Sequence, residues 1–287
     1  MRRKLVWEAD RFVDRHIDGY ERLARLTPIA ASRVEPQMLF ATSDREIGPH
    51  VWRDASYEEA DLAWVLKHLG HPQRGRTVVE VGGNVGTTTI PLLVGFGAHR
   101  VEVFEPSPAN LRLLRCNLVL NDLEDLVVVH QLAVSDRNGS VNLELCAENS
   151  GDHRVQAVDT TWEVLGESTR ATTVVGTRRL EDALTSDPAE VGLVWVDTQG
   201  HEGHVLAGAS TLLGRGIPWV IEYWPYGLTR AGGLELLHAM VDEHFVVVVD
   251  VRASREQGSV VRMPAGGLAK LGAGLGTGYT DLILLEG

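Results

Sequence analysis

Residues 78–89 place an acid, three glycines and an asparagine where an apolar run ends. They read Val-Val-Glu-Val-Gly-Gly-Asn-Val-Gly-Thr-Thr-Thr. The pattern predicts a strand, a tight turn and then a helix, because glycine accepts positive φ values and lets a backbone approach a ligand closely. In a parallel sheet such a turn lies outside the carboxyl ends of the strands, where ligands bind. The candidate binding residues of this turn are Glu80, Gly82, Gly83, Asn84 and Gly86.

The acids near this turn discriminate between ligand classes. The dinucleotide pattern G-x-G-x-x-G is not met, because Asn84 takes the place of the second glycine. The carboxylate of Glu80 would repel a pyrophosphate and attract an ammonium group, which favours a cationic ligand. Glu105 ends the next predicted strand, where it would accept hydrogen bonds from both hydroxyls of a ribose, whereas Glu102 lies in mid-strand and is a poorer candidate.

Two further acids, Asp197 and Glu222, end later predicted strands. Neighbouring parallel strands would bring them to the same crevice as Glu80 and Glu105. There they would orient a substrate hydroxyl or bind Mg²⁺ through oxygen ligands. The sequence leaves both alternatives open and makes Asp197 and Glu222 candidate catalytic and candidate metal-binding residues.

Two histidines are the candidate general bases. His201 begins a predicted helix just after Asp197, and His153 lies in a polar stretch between later strands. The alternative for each is an ordinary solvated side chain. Glu202, in the first turn of the same helix, is predicted to satisfy free backbone N–H groups and the helix dipole.

An alternation of strands and helices is predicted to position these candidate residues. Helical patterns separate seven short runs, several of them apolar throughout, which are typical of a parallel sheet covered on both faces. The predicted helices are Thr87–Phe96, Pro108–Leu120, Glu202–Leu213 and Gly232–Glu243. The predicted strands are Thr77–Val81, Arg100–Phe104, Leu126–Gln131, Leu193–Val196, Trp219–Ile221, Phe245–Val251 and Asp281–Leu285. We therefore predict an α/β fold with a mostly parallel seven-stranded sheet.

The segments outside this alternation predict appendages to one domain. An amphipathic helix over Leu5–Leu26 and a second helix over Tyr57–Leu69 predict an N-terminal helical cap over residues 1–70, ahead of a ligand-binding domain over residues 71–287. The first helix would serve as a lid, as a homodimer contact or simply as packing. Residues of about 140–178, with strands at Ser140–Cys146 and Thr172–Thr177, predict an insertion over the active site.

Composition excludes several classes of protein. The net charge is 27 − 39 = −12, which argues against a nucleic-acid partner because phosphate binding needs clustered Lys and Arg. No apolar run approaches the roughly 20 residues that cross a bilayer, and no secretory signal follows the basic start. Cys116 and Cys146 form no metal-type pair. We expect a cytoplasmic protein without a membrane or nucleic-acid partner.

The ordered motifs resemble the FkbM-type family of class I S-adenosylmethionine-dependent methyltransferases. The segments EVGGNVG (80–86) and VFEPSPANLRLLRCN (103–117) carry the resemblance, and VDTQGHE (196–202) extends it. It covers roughly residues 57–221. Trp195 departs from the pattern, because the family often has Lys at this position, and no role of that Lys is carried over.

The resemblance implies a Rossmann-like fold, S-adenosylmethionine as cofactor and O-methylation of a small-molecule hydroxyl, such as that of a sugar or a secondary metabolite. It places the methionyl end of the donor on Glu80, Gly82, Asn84 and Gly86, and Ala133 and Val134 beside the adenine. It leaves a requirement for Mg²⁺ open. A nicotinamide-dependent oxidoreductase and a non-catalytic S-adenosylmethionine-binding module remain the alternatives.

Overall fold

The computed structural model describes residues 19–156 and 167–287. The first part of the chain forms, in order, α1 (19–26), β1 (Ile29–Ala31), β2 (Leu39–Ala41), α2 (Ile47–Asp54), α3 (Glu59–His68), β3 (Thr77–Val81), α4 (Thr89–Val94), β4 (Arg100–Phe104), α5 (Pro108–Leu120), β5 (Val127–His130), β6 (Ala133–Val134), β7 (Gly139–Leu145) and β8 (Arg154–Val155). The second part forms β9 (Ala171–Arg178), α6 (Leu180–Ala183), β10 (Val191–Val196), α7 (Glu202–Ala207), β11 (Trp219–Tyr223), α8 (Pro225–Arg230), α9 (Leu234–His244), β12 (Val247–Asp250), α10 (Val251–Gln257), β13 (Val261–Pro264), α11 (Leu268–Leu275) and β14 (Thr280–Leu285).

The main sheet has eight strands in the order β13-β12-β14-β11-β10-β3-β4-β5. The strands from β11 to β5 pair in parallel, and β14 lies antiparallel between β11 and β12. The predicted α/β fold is confirmed, but the sheet is mixed and the predicted count of seven strands was wrong. The eighth strand, β13, is short, half exposed and ends in a proline, which is typical of an edge strand and leaves little signal in the sequence.

Helices cover both faces of this sheet, as predicted. Apolar residues of α3, α4, α5 and α10 pack with Val78 and Val101 on one face. Residues of α6, α7, α9 and α11 pack with Val79 and Val194 on the other. The central strand β3 is buried along its whole length, which explains why three of its five residues are valines.

The N-terminal segment forms an unpredicted hairpin of β1 and β2, which is a two-stranded sheet separate from the main one. The side chain of Asn117 on α5 accepts a hydrogen bond from the Leu39 N–H at 2.6 Å and donates to the carbonyl oxygens of Leu39 and Val85. Asn117 thereby fixes β2 to the glycine turn. Of the predicted helix over Leu5–Leu26, residues 5–18 lie outside the described residues, and 19–26 are helical.

Residues 133–178 contribute a second sheet of four strands in the order β6-β9-β7-β8. Its long pair, β7 with β9, is antiparallel and corresponds to the two strands predicted for the insertion. Residues 157–166 of the predicted loop lie outside the described residues. Among the described helices, none combines the length and apolar character that crossing a bilayer would require.

Candidate active site

The glycine turn is shaped by the contact between two neighbouring strands. Gly82 has a φ of +99°, and a β-carbon at this position would lie 1.8 Å from the carbonyl oxygen of Asp197. A β-carbon on Gly83 would lie 2.2 Å from Cγ2 of Val103. Asn84 also has a positive φ of +45°. The turn therefore passes so close to the ends of β10 and β4 that side chains larger than hydrogen are excluded at positions 82 and 83.

Glu105 is held by the turn and by the helix that follows it. Its carboxylate accepts hydrogen bonds from the backbone N–H groups of Asn84 and Ser107, each at 2.8 Å. Burial raises the pKa of Glu105 to about 7, although both hydrogen bonds act in the opposite direction. The carboxylate is thus positioned at the crevice with part of its acceptor capacity free for a ligand.

Glu80 lies behind the crevice rather than in its wall. It is 1% exposed, and its carboxylate accepts a hydrogen bond of 2.6 Å from the Thr89 hydroxyl. Burial, together with the charges of Glu105 and Asp197, raises the pKa of Glu80 to about 8. Sequence reasoning expected Glu80 to contact an ammonium group directly, and this stays a prediction. The present geometry supports an electrostatic influence of Glu80 on a ligand across the turn.

Glu102 is committed elsewhere, in agreement with its mid-strand position. Its carboxylate accepts hydrogen bonds from the N–H groups of Thr185 and Ser186 and lies 2.7 Å from Nε2 of His130. Burial would raise the pKa of Glu102, but these hydrogen bonds outweigh it and lower the pKa to about 2. Glu102 therefore ties β4 to β5 and to the loop after α6.

Two cavities meet at the end of the parallel strands. The first contains most of the predicted donor-binding residues, and its lining includes Gly82, Asn84, Glu105, Ala133, Val134, Ser150, Gly151, His153, Asp197 and His201. The second, with a volume of about 350 Å³, extends towards α3 and β14. Gly82, Asn84, Gly151, Asp197 and Gln199 line both cavities and form the boundary between them.

The second cavity is strongly acidic. Its wall includes the carboxylates of Glu46, Glu58, Asp61, Asp152, Asp197, Glu222 and Asp281 and the rings of Tyr57, Trp195, Trp224 and Tyr279. Among the described residues of this wall, Arg154 is the one basic side chain. Arg154 is already paired with Asp152 and Glu167 and stacks over Trp224 at 4.4 Å. An anionic molecule would therefore find no unpaired basic side chain among the described residues of this wall.

Gln199 links the two strand-end acids that the sequence singled out. Its side-chain nitrogen Nε2 donates to Oδ1 of Asp197 at 2.8 Å and to Oε2 of Glu222 at 3.0 Å. Burial raises the pKa of Asp197 and raises that of Glu222 well above its usual value, and Asp197 adds to the shift of Glu222. The structure thus brings Asp197 and Glu222 together, as predicted from the order of the strands.

Glu202 satisfies backbone groups, as predicted, but in the preceding loop. Oε1 of Glu202 accepts hydrogen bonds from the N–H groups of Thr198 and Gly200 and from the Thr198 hydroxyl. The other oxygen, Oε2, is buried without a hydrogen-bond partner. One oxygen each of Asp197, Glu202 and Glu222 lie within 4.8 Å of one another.

His201 does not lie beside the acidic pair. Its ring is 6% exposed, stacks on His204 and lies 3.0 Å from the Ser135 hydroxyl, on the side of the first cavity. Burial lowers the pKa of His201 to about 3. The expectation of a solvated ring was therefore wrong, because His201 packs against Ser135 and His204, whereas its role as a general base stays a prediction.

His153 likewise faces the first cavity. Its Nδ1 accepts a hydrogen bond of 3.1 Å from the Cys146 N–H, and burial lowers the pKa of His153 to about 4. His153 therefore borders the predicted donor site. It does not line the second cavity, whose wall carries carboxylates.

Sequence reasoning missed five of the seven carboxylates of this wall, Asp281 among them, and it also missed Gln199. Gln199 has a positive φ of +55° and directly precedes a glycine, which indicates a sharp turn. This signal does not reveal which groups the side-chain amide of Gln199 contacts. Asp281 is the second residue of β14 and lies opposite Glu222 in the antiparallel pair. The sequence signal for Asp281 was an acid near the start of a predicted strand. That this strand pairs with β11 became evident only from the order of the sheet.

Comparison with known proteins identifies the family of this chain. A family model described as the methyltransferase FkbM domain matches residues 80–243, more than half of the chain. The chain is also similar to Methyltransferase 1 of Beauveria bassiana (strain ARSEF 2860), with 27% identity over 144 residues, 46% of this chain and 57% of the relative.

Solved structures give weaker likenesses. Methyltransferase FkbM from Methylobacillus flagellatus KT has 14% identity and a TM-score of 0.42, with 97% of this chain and 60% of that chain covered. The O-methyltransferase from Bacillus cereus, in complex with S-adenosylhomocysteine, has 12% identity and a TM-score of 0.44, with 95% and 90% covered. The chain thus spans less than two thirds of the fungal and Methylobacillus relatives.

Proposed function

The chain belongs to the FkbM methyltransferase family, and from this membership and the two joined cavities we propose that it transfers a methyl group from S-adenosylmethionine to a hydroxyl oxygen of a small molecule. The boundary between the cavities carries the proposal. Gly82, Asn84, Asp197 and Gln199 line both of them, so a donor on one side and an acceptor on the other would meet at this boundary.

The first cavity would hold the donor. Its ribose hydroxyls would donate to Glu105, whose orientation is already set by Asn84 and Ser107. Ala133 and Val134 would flank the adenine, and the methionyl end would follow the turn from Gly82 to Gly86. The ammonium group of the donor would gain from the nearby charge of Glu80. The loop between β7 and β8 would cover the donor, because Ser150, Gly151 and His153 line this cavity.

The second cavity would hold the acceptor. Transfer requires the acceptor oxygen to approach the methyl carbon in line with the breaking bond to sulfur. Alignment of the two molecules in a water-poor site makes this step fast. The new O–CH₃ bond forms as the S–CH₃ bond breaks, and S-adenosylhomocysteine leaves as a neutral thioether. The hydroxyl proton would pass to Asp197, whose carboxylate lies at the boundary that lines both cavities.

Donor binding by Glu105 is the first prediction to test. Glu105→Ala should weaken binding of S-adenosylhomocysteine about 100-fold, because two hydrogen bonds to a charged acceptor together contribute about 3 kcal/mol. Isothermal titration calorimetry of the full chain would measure this change beside a parallel titration with NAD⁺. Glu58→Gln, which removes a carboxylate from the second cavity alone, is the matched control and should leave the donor affinity within threefold.

Two outcomes would contradict the proposal. Unchanged affinity in the Glu105→Ala variant, with a thermal melt showing that it folds, would remove Glu105 from the donor site. Absence of S-adenosylhomocysteine binding by the unaltered protein, or tighter binding of NAD⁺, would remove the methyl donor itself.

A further inference from the structure

Three carboxylates, one half-buried and two buried, converge at the boundary of the cavities. Asp197 follows β10, Glu222 lies on the neighbouring strand β11, and Glu202 begins α7. One oxygen from each lies within 4.8 Å of the others. Like charges this close in a poorly solvated site repel strongly, so the three carboxyl groups must either take up protons or share a positive group.

The free oxygen of Glu202 indicates where such a group would bind. Glu202 is 0% exposed, and its Oε1 is occupied by three donors from the 198–200 loop. Oε2 has no hydrogen-bond partner in the structure. A buried carboxylate oxygen without a partner is rare in native proteins, because its desolvation is not compensated. It points to a ligand that completes the cluster.

Gln199 occupies a position that a cation would share. Its amide nitrogen lies between Asp197 and Glu222 and donates to both. The nitrogen and oxygen of an amide have nearly the same shape, so rotation of this side chain would present the carbonyl oxygen instead. A carbonyl oxygen beside carboxylates is a suitable additional ligand for a hard cation.

We propose that Asp197, Glu202 and Glu222 bind a divalent cation of the Mg²⁺ type. A substrate ammonium group fits less well, because Glu202 is fully buried and does not line the acceptor cavity. A compact ion between the strand ends reaches all three oxygens. Asp197 and Glu222 do line the cavity, so the ion would be accessible from the acceptor side.

The cation deepens the proposed function and rests on it for its role in the reaction. Bound at the acceptor side, it would fix an acceptor oxygen and favour loss of its proton. It would also favour acceptors with neutral oxygen donors, since the surrounding acidic wall disfavours anionic ones. Binding of the metal alone, however, does not require the methyl donor and is measured separately.

A manganese titration tests the site directly. Mn²⁺ replaces Mg²⁺ at oxygen sites, and the electron paramagnetic resonance signal of free Mn²⁺ reports the bound fraction. The full chain should bind one Mn²⁺, with displacement by excess Mg²⁺. Glu202→Gln should weaken binding at least tenfold, because the amide oxygen can still accept from Thr198 and Gly200 while the NH₂ group replaces the free oxygen. Glu222→Gln should have a similar effect.

Glu58→Gln is the charge-matched control. Glu58 lines the same cavity but is exposed and lies outside the three-carboxylate cluster, so its removal should change Mn²⁺ affinity less than threefold. Thermal melts of each variant establish that it is folded. Wild-type affinity in both Glu202→Gln and Glu222→Gln, or no saturable Mn²⁺ binding by the unaltered chain, would overturn the inference.

A titration with S-adenosylhomocysteine on the same preparations separates the two proposals. If this ligand binds and Mn²⁺ does not, the metal site is wrong and the donor site stands. If Mn²⁺ binds and S-adenosylhomocysteine does not, the cluster is a metal site in a protein that lacks the proposed donor.

Discussion

Gly82→Ala is expected to lower the free energy of unfolding by about 4 kcal/mol or more and to abolish most soluble expression. The added β-carbon would lie 1.8 Å from the carbonyl oxygen of Asp197, a backbone atom that cannot move without separating β3 from β10. The φ of +99° adds a cost of about 1 kcal/mol for any residue other than glycine. Losses of this size are exceptional and indicate disruption of the packed core.

Gly258→Ala separates the two contributions to this effect. Gly258 also has a positive φ, of +67°, but a β-carbon there would have no heavy atom within 4 Å. It should therefore lose only about 1 kcal/mol. Urea unfolding followed by circular dichroism would measure both variants. Equal losses at the two positions would mean that the close approach of Gly82 to Asp197 does not constrain the turn.

Glu80→Gln is expected to make the ligand-free protein less sensitive to alkaline pH. The folded-state pKa of about 8, raised mainly by burial, lies above the unfolded value of about 4.5. The contribution of Glu80 to stability is therefore fully present below about pH 4.5 and is lost as the pH rises through 8. Glutamine does not ionise and still accepts the hydrogen bond of Thr89, so the loss of stability between pH 5 and pH 9 should shrink by about 2–4 kcal/mol.

The same substitution should weaken donor binding about tenfold at pH 8. The ammonium group of the ligand favours ionised Glu80, so the unaltered chain should bind S-adenosylhomocysteine more tightly as the pH rises from 6 to 8, and the variant should show a smaller rise. Thermal unfolding and calorimetry across this pH range measure the two effects on one pair of proteins. Identical pH profiles for the two chains would show that Glu80 neither titrates in this range nor acts on the ligand.

Local patterns predicted the elements that carry the site. The bounds of β3, β4 and α5 agree with the sequence prediction, because apolar runs and a proline at the first turn of a helix are short-range signals. The predicted helix over Glu202–Leu213 was too long, since α7 ends at Ala207. Gly208 then packs with its α-carbon against the Ser135 carbonyl, a contact that the local pattern does not contain.

The sequence by itself determined the order of strands and helices, the glycine turn and the acids at the strand ends, because each depends on residues close together in the chain. Only the tertiary structure decided what those acids contact. Gln199 bridges to Glu222, 23 positions away, and His201 is buried against Ser135, 66 positions away. Such partners depend on which strands become neighbours and how closely they pack. This packing brings acids that are far apart in the chain to one boundary between two cavities.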